Sequence, residues 1–81
     1  MSSTLETVID IIHKESGWPT SILTPDKTYG ALDLDSLALL TIFVNLEDEF
    51  KVKLEGEEDV PRLPENTLQD LVNFIDTKIG K

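Results

Sequence analysis

Apolar residues recur at i, i+3, i+4 and i+7 near both ends of the chain, as Leu5, Val8, Ile9 and Ile12 and as Leu68, Leu71, Val72, Ile75 and, one turn further, Ile79. A third face of the same kind, Leu39, Ile42, Phe43, Leu46 and Phe50, runs through the middle. Such spacing lays one apolar stripe along an α-helix, and helices with a single stripe bury it against one another. A sheet is a poor alternative: "KVKLE", residues 51–55, alternates like a strand but has no partner elsewhere in the chain. The predicted fold is therefore all-α, a small four-helix bundle with a long first loop and a short third helix. At 81 residues it forms a single domain over 1–81 with a modest core.

The first helix is expected over about residues 4 to 15, with Ser3 and Glu6 at the spacing of a capping box. Gly17 and Pro19 end it. The following "WPTSILTPDKTYGALD" has two prolines, a glycine and no sustained period, so it reads as a long loop pinned by Trp18, Ile22, Leu23 and Tyr29. Loops of that length in a compact domain tend to serve function. The second helix starts at or just after Ser36 and runs to Phe50. Besides its core stripe it carries Leu37, Leu40 and Val44 on the roughly opposite side, among Thr41, Glu47 and Asp48, an apolar face that a small monomer has no reason to give to water. "KVKLE" is expected to be an extended connector with Val52 and Leu54 inward. In "EGEEDVPRLPEN" Pro61 and Pro64 allow at most one short helical turn. The last helix spans about 67 to 79, with Thr67 as its N-cap.

Composition removes several classes of function. Sixteen acidic against seven basic side chains give a formal charge of −9, which repels nucleic acid and anionic membrane surfaces and attracts proteins with basic patches. Cysteine is absent, so the chain supplies no disulfide, thiolate ligand or thiol nucleophile. No basic, then apolar leader precedes the first helix and no stretch approaches a membrane span, which makes the expected location cytoplasmic without membrane insertion. Enzyme parts are also missing. His13 is the sole histidine and lies one residue past the first stripe, a structural position; no Ser-His-Asp set or phosphate-cradling glycine loop is present. "EGEEDV" lacks the spacing of a calcium loop, so no metal site is expected.

Attention then falls on "ALDLDSLALL", residues 31–40, where Asp35 and Ser36 stand directly before the second helix. Serine is an ordinary N-cap, and so is aspartate. Two features of the context go beyond a cap. The Ser36 hydroxyl sits at the positive end of a helix dipole, where a phosphate is stabilised, and the outward apolar stripe begins one residue later, offering a docking surface to a protein that approaches that phosphate.

These residues resemble the acyl carrier proteins, whose "D-L-G-x-D-S-L" segment opens a helix that continues into an acidic stretch ending in phenylalanine, as "NLEDEFKVKL" does here. The resemblance covers nearly the whole chain, with the helices and the long loop in the same order. It implies that Ser36 receives a 4'-phosphopantetheine arm from coenzyme A, in a phosphodiester bond, and that the arm's thiol carries acyl groups as thioesters. The absence of cysteine agrees with a thiol supplied by the arm. It further implies that Asp35 helps present the loop to a phosphopantetheinyl transferase and its metal, with Leu37 beside the attachment point. Acyl-transferring or synthase enzymes with basic and apolar patches would dock on Leu37, Leu40, Val44, Glu47 and Asp48. The protein would be a monomeric carrier, not an enzyme, serving fatty-acid, lipid or polyketide-type synthesis. Asp33 stands where the family has glycine, in the loop that the transferase must accept. Ala38 and Thr41 stand where many members have acids, which points to a specialised carrier. An aminoacyl or peptidyl carrier and an unmodified helical interaction module are the alternatives.

Overall fold

The computed structural model describes residues 3–54 and 56–80. Among these are three α-helices, α1 (Thr4–Ser16), α2 (Ser36–Phe50) and α3 (Leu68–Lys78), one 3-10 turn at Thr20–Ile22, and no strand beyond an isolated antiparallel bridge between Thr28 and Thr67. The fold is all-α, as the periodicity predicts. In place of the short third helix, residues 56–66 form turns and bends. The cause is local: a proline contributes no backbone N–H and restricts the residue before it, and Pro61 and Pro64 bracket a stretch too short to propagate a helix.

Capping chemistry fixes the helix ends. Ser3 Oγ accepts from the Glu6 amide at 3.1 Å and the Glu6 carboxylate accepts from the Ser3 amide, closing the expected box. At the far end Gly17, with φ 82°, donates its N–H to the His13 carbonyl, the left-handed cap that glycine adopts without strain. α3 opens with a second box, Thr67 with Asp70.

α1 packs against both α2 and α3. The core holds Val8 and Ile12 from α1, Leu39, Ile42, Phe43 and Leu46 from α2, and Leu68, Leu71, Val72 and Ile75 from α3. Leu5, Ile9, Phe50 and Ile79, on the edges of the stripes, are half-buried against it. Loop residues fill the rest: Leu23, Tyr29, Leu32, Leu34, Leu54 and Val60 are all buried. Val52 is half-buried, so the connector turns inward as expected; its last residue, Glu55, lies outside the described residues.

The long first loop is ordered by pairing with the segment that leads into α3. Tyr29 donates its amide to the Asn66 carbonyl, Gly30 to Pro64, Leu68 to Lys27 and Gln69 to Pro25, at 2.9–3.0 Å. The two backbones come so close at Gly30 that a Cβ there would stand 3.3 Å from the Pro64 carbonyl oxygen. Three side chains complete the anchoring. Trp18 Nε1 donates to the Leu32 carbonyl at 2.7 Å, and the Tyr29 hydroxyl donates to Pro61 at 2.9 Å. Burial, with a smaller contribution from the Asp70 charge, holds the Tyr29 phenol above its ordinary pKa, so it stays a donor. His13 is half-buried and its Nδ1 lies 2.7 Å from the Trp18 carbonyl. A carbonyl only accepts, so Nδ1 carries the proton and the histidine is part of the loop's anchoring.

Candidate functional site

Four residues set the backbone at the start of α2. Leu32 and Leu34 are buried, which turns the intervening Asp33 and the following Asp35 and Ser36 to the surface. Asp33 adopts φ 55°, the left-handed region, where aspartate is among the few tolerated side chains. The position that is glycine in the resembled segment is therefore one whose conformation favours glycine. The Asp33 amide donates to Gly30 and the Leu34 amide to Tyr29, so the left-handed turn is locked to the anchored loop.

The cap of α2 is Asp35 and not Ser36. Asp35 Oδ1 accepts the Ala38 amide at 2.9 Å, and its backbone carbonyl accepts the Leu39 amide at 2.9 Å. Ser36 is the first helical residue. It is exposed, and its hydroxyl makes no hydrogen bond to the described residues. Sequence alone cannot separate the two, since both side chains cap well; the structure gives the structural task to the aspartate and leaves the serine free.

On the outward side of α2, Leu37, Leu40 and Val44 are 72%, 42% and 48% exposed, so the second apolar face exists. Asp48 is exposed. Glu47 is half-buried and its Oε2 accepts the Leu54 amide at 2.7 Å, tying the connector back to α2. Of the two acids expected at the docking face, one is thus also engaged in the fold.

Two clefts flank the serine. One, of about 210 Å³, lies between the end of α1 and the start of α2 and is lined by Ser16, Asp35, Leu37 and Thr41 among others. The other, of about 290 Å³, is lined by Ser36, Leu39, Leu40, Phe43, Gly56 and Arg62. Arg62 went unnoticed in the sequence because it stands 26 positions from Ser36 in a turn without periodicity, and only the fold brings the two together. Among the described residues no cluster of histidine and carboxylate side chains suits a metal ion, and no helix is long and apolar enough to cross a membrane.

Whether these residues fit a phosphodiester-linked arm can be tested on the geometry. A free exposed hydroxyl is present, the first amides of α2 have no partner within the helix, and an arginine and an apolar wall share the adjoining cleft. They fit.

A small helical domain with a free serine at a capped helix start, above an apolar outward face, has the form of a carrier module. The sequence comparisons agree: residues 6–75 match the family described as "Phosphopantetheine attachment site". An acyl carrier protein of Micrococcus luteus is 44% identical over 68 residues, 83% of this chain and 80% of that protein. Acyl carrier proteins of Myxococcus xanthus and Kineococcus radiotolerans are similar at 43% over 67 residues and 38% over 77 residues, the latter spanning 94% of this chain and 91% of that protein. The chain belongs to the acyl carrier protein family. Its function follows: it is a carrier and not a catalyst, it holds acyl groups on a covalent 4'-phosphopantetheine group, and it works with the transferase and synthase enzymes that load and use that group.

Proposed function

We propose that Ser36 is the attachment point of the prosthetic group and that Asp35, Leu37, Leu40, Val44 and Asp48, with Glu47 at the margin, form the surface that partner enzymes meet. One observation carries the reading: the Ser36 hydroxyl is exposed and unbonded at a helix start whose cap is supplied by its neighbour. No described residue takes a hydrogen bond from that hydroxyl, and a phosphate attached to it would lie at the positive end of a helix dipole. When bound, the group supplies a thiol that forms the acyl thioester; Ser36 holds it, and the capped turn orients its exit from the surface. Tethering raises the effective concentration of cargo at each partner's active site, so docking can stay weak and exchange quickly.

The same reading makes residues 1–81 one carrier domain, monomeric and cytoplasmic. The turns at 56–60 take the place of the short third helix of a four-helix bundle, with Leu54 and Val60 as their core anchors. We further assign a specialised role in fatty-acid, lipid or polyketide-type synthesis. Ala38 and Thr41 leave the front of α2 uncharged beside three exposed apolar side chains, so docking rests more on desolvated contact than on charge steering.

Loading tests the site. Coenzyme A with a broad-specificity phosphopantetheinyl transferase should add one group to the wild type and none to Ser36→Ala, read by intact mass; addition to the alanine variant sinks the assignment. For the docking face, Leu40→Ala and Val44→Ala on loaded protein should slow partner turnover more than Asp48→Asn. A larger effect from the acid, mimicked by added salt, would mean docking of the electrostatic kind.

A further inference from the structure

The cleft that joins Ser36 to Arg62 has a consequence for the bound arm, and it rests on the reading of Ser36 as the attachment point. Arg62 is the only arginine in a chain whose formal charge is −9, and the fold places it on a cleft that Ser36 also lines. It is exposed, and among the described residues its side chain makes a single hydrogen bond, from Nη2 to the Glu57 carbonyl at 3.3 Å. A guanidinium has five N–H donors, so most of its donors are left without an acceptor among the described residues. Glu57, whose carbonyl accepts that bond, has its carboxylate paired with Lys78.

Charge makes the placement matter. Asp33 and Asp35 flank the serine, and each opposes an anion there. The helix start offsets this only in part, since a dipole end counts for about half an elementary charge. A full positive charge in the same small cleft offsets the rest, and arginine's planar fork matches phosphate oxygens two at a time. The remaining wall, Leu39, Leu40 and Phe43, is apolar. At about 290 Å³ the cleft lies at the lower end of the range for ligand pockets, enough for a phosphate and the first part of an arm, not for a long acyl chain.

We propose that Arg62 is a positioning residue for the prosthetic group: its guanidinium donates to the phosphodiester oxygens on Ser36 and draws the first part of the arm onto the Leu39, Leu40 and Phe43 wall. Arg62 thereby gives the arm a docked state on the carrier's own surface, in competition with its extension towards a partner.

The test compares apo and loaded forms of the full chain by NMR, after intact mass has established the extent of loading. In the wild type, loading should shift the Arg62 Nε–H resonance and slow its exchange with water several-fold. The 31P resonance of the loaded protein should depend on salt, since salt screens the contact. Arg62→Gln should lose the salt dependence and give the 31P shift of an exposed phosphodiester, with Arg62→Lys in between because the charge remains and the fork does not. Full loading with the Arg62 signal unmoved, or a 31P shift identical in wild type and Arg62→Gln, overturns the proposal and leaves the Ser36 assignment standing. Absence of any mass gain in the wild type overturns both. If Arg62→Gln does not load or fold, the wild-type Nε–H signal alone decides.

Discussion

The segments on either side of α2 are held in different ways. Residues 17–35, before the helix, are anchored by backbone hydrogen bonds to the approach of α3 and by the buried side chains of Leu23, Tyr29, Leu32 and Leu34. Residues 51–63, after it, bury Leu54 and Val60, but once past the C-cap of α2, where the Lys51 and Val52 amides donate to the Glu47 carbonyl, their hydrogen bonds to the helices run through side chains: Glu47 to the Leu54 amide, and Lys78 to Glu57 while lying 5.4 Å from the centre of the Phe74 ring. Backbone pairing fixes positions to the limit of the peptide geometry, whereas long side chains can exchange partners. The first segment therefore determines where Ser36 stands. The second brings to that serine a charged side chain able to choose between a carbonyl and an added phosphate.

If the comparison holds, damage to the first segment is the more costly. Tyr29 is fully buried and joins the two segments through Pro61, so Tyr29→Ala should lower stability by about 3–5 kcal/mol in urea unfolding. That is a large share of the ~5–15 kcal/mol available to a small domain. A loss no larger than that of an exposed residue would show that the loop is not structural. The next effect is smaller and separates neighbours: Asp35→Ala should cost about 1 kcal/mol through the lost cap, and Ser36→Ala only a few tenths. The reverse order would return the capping role to the serine.

Relief of strain runs the other way. At φ 55° Asp33 is tolerated, not favoured, and Asp33→Gly should raise stability by about 0.5 kcal/mol, strain relief exceeding the added chain entropy of glycine. A decrease would mean that the Asp33 side chain contributes something its backbone does not. The smallest expected effect is on acid stability. The Thr67 backbone amide, then the Asn66 side chain, hold the Asp70 carboxyl below its ordinary value of 3.8. Because the native value is the lower one, the contribution is present above the ordinary value and is lost as pH falls through the native one. Asp70→Asn should thus differ most from wild type near neutrality and converge with it in acid; a gap that widens in acid would contradict this sign.

Much of the bundle was legible because helices announce themselves locally. The stripes of α1 and α3, both N-caps and the outward placement of Leu37, Leu40 and Val44 follow from spacing alone. Three things did not. The pairing of Thr28 with Thr67 joins segments far apart in sequence with no alternating pattern to mark it. Leu32 and Leu34 gave no signal of burial, since the loop's apolar residues follow no period. The short third helix was expected as the single turn that Pro61 and Pro64 leave room for, and these prolines instead confine the stretch to turns and bends. At the site, the serine was legible as exposed and well placed, but its freedom from capping was not, and neither was the arginine across the cleft.

Localisation of the added group within the loaded protein tests the account most directly. Cleavage after Lys27 and Lys51 yields a fragment of residues 28–51 that contains four hydroxyl side chains, Thr28, Tyr29, Ser36 and Thr41. Fragmentation of that peptide by tandem mass spectrometry should place the whole of the added mass on Ser36. Finding it on Thr28 or Thr41, or on any peptide outside this fragment, would contradict the claim that the capped start of α2 presents the serine as the carrier's attachment point.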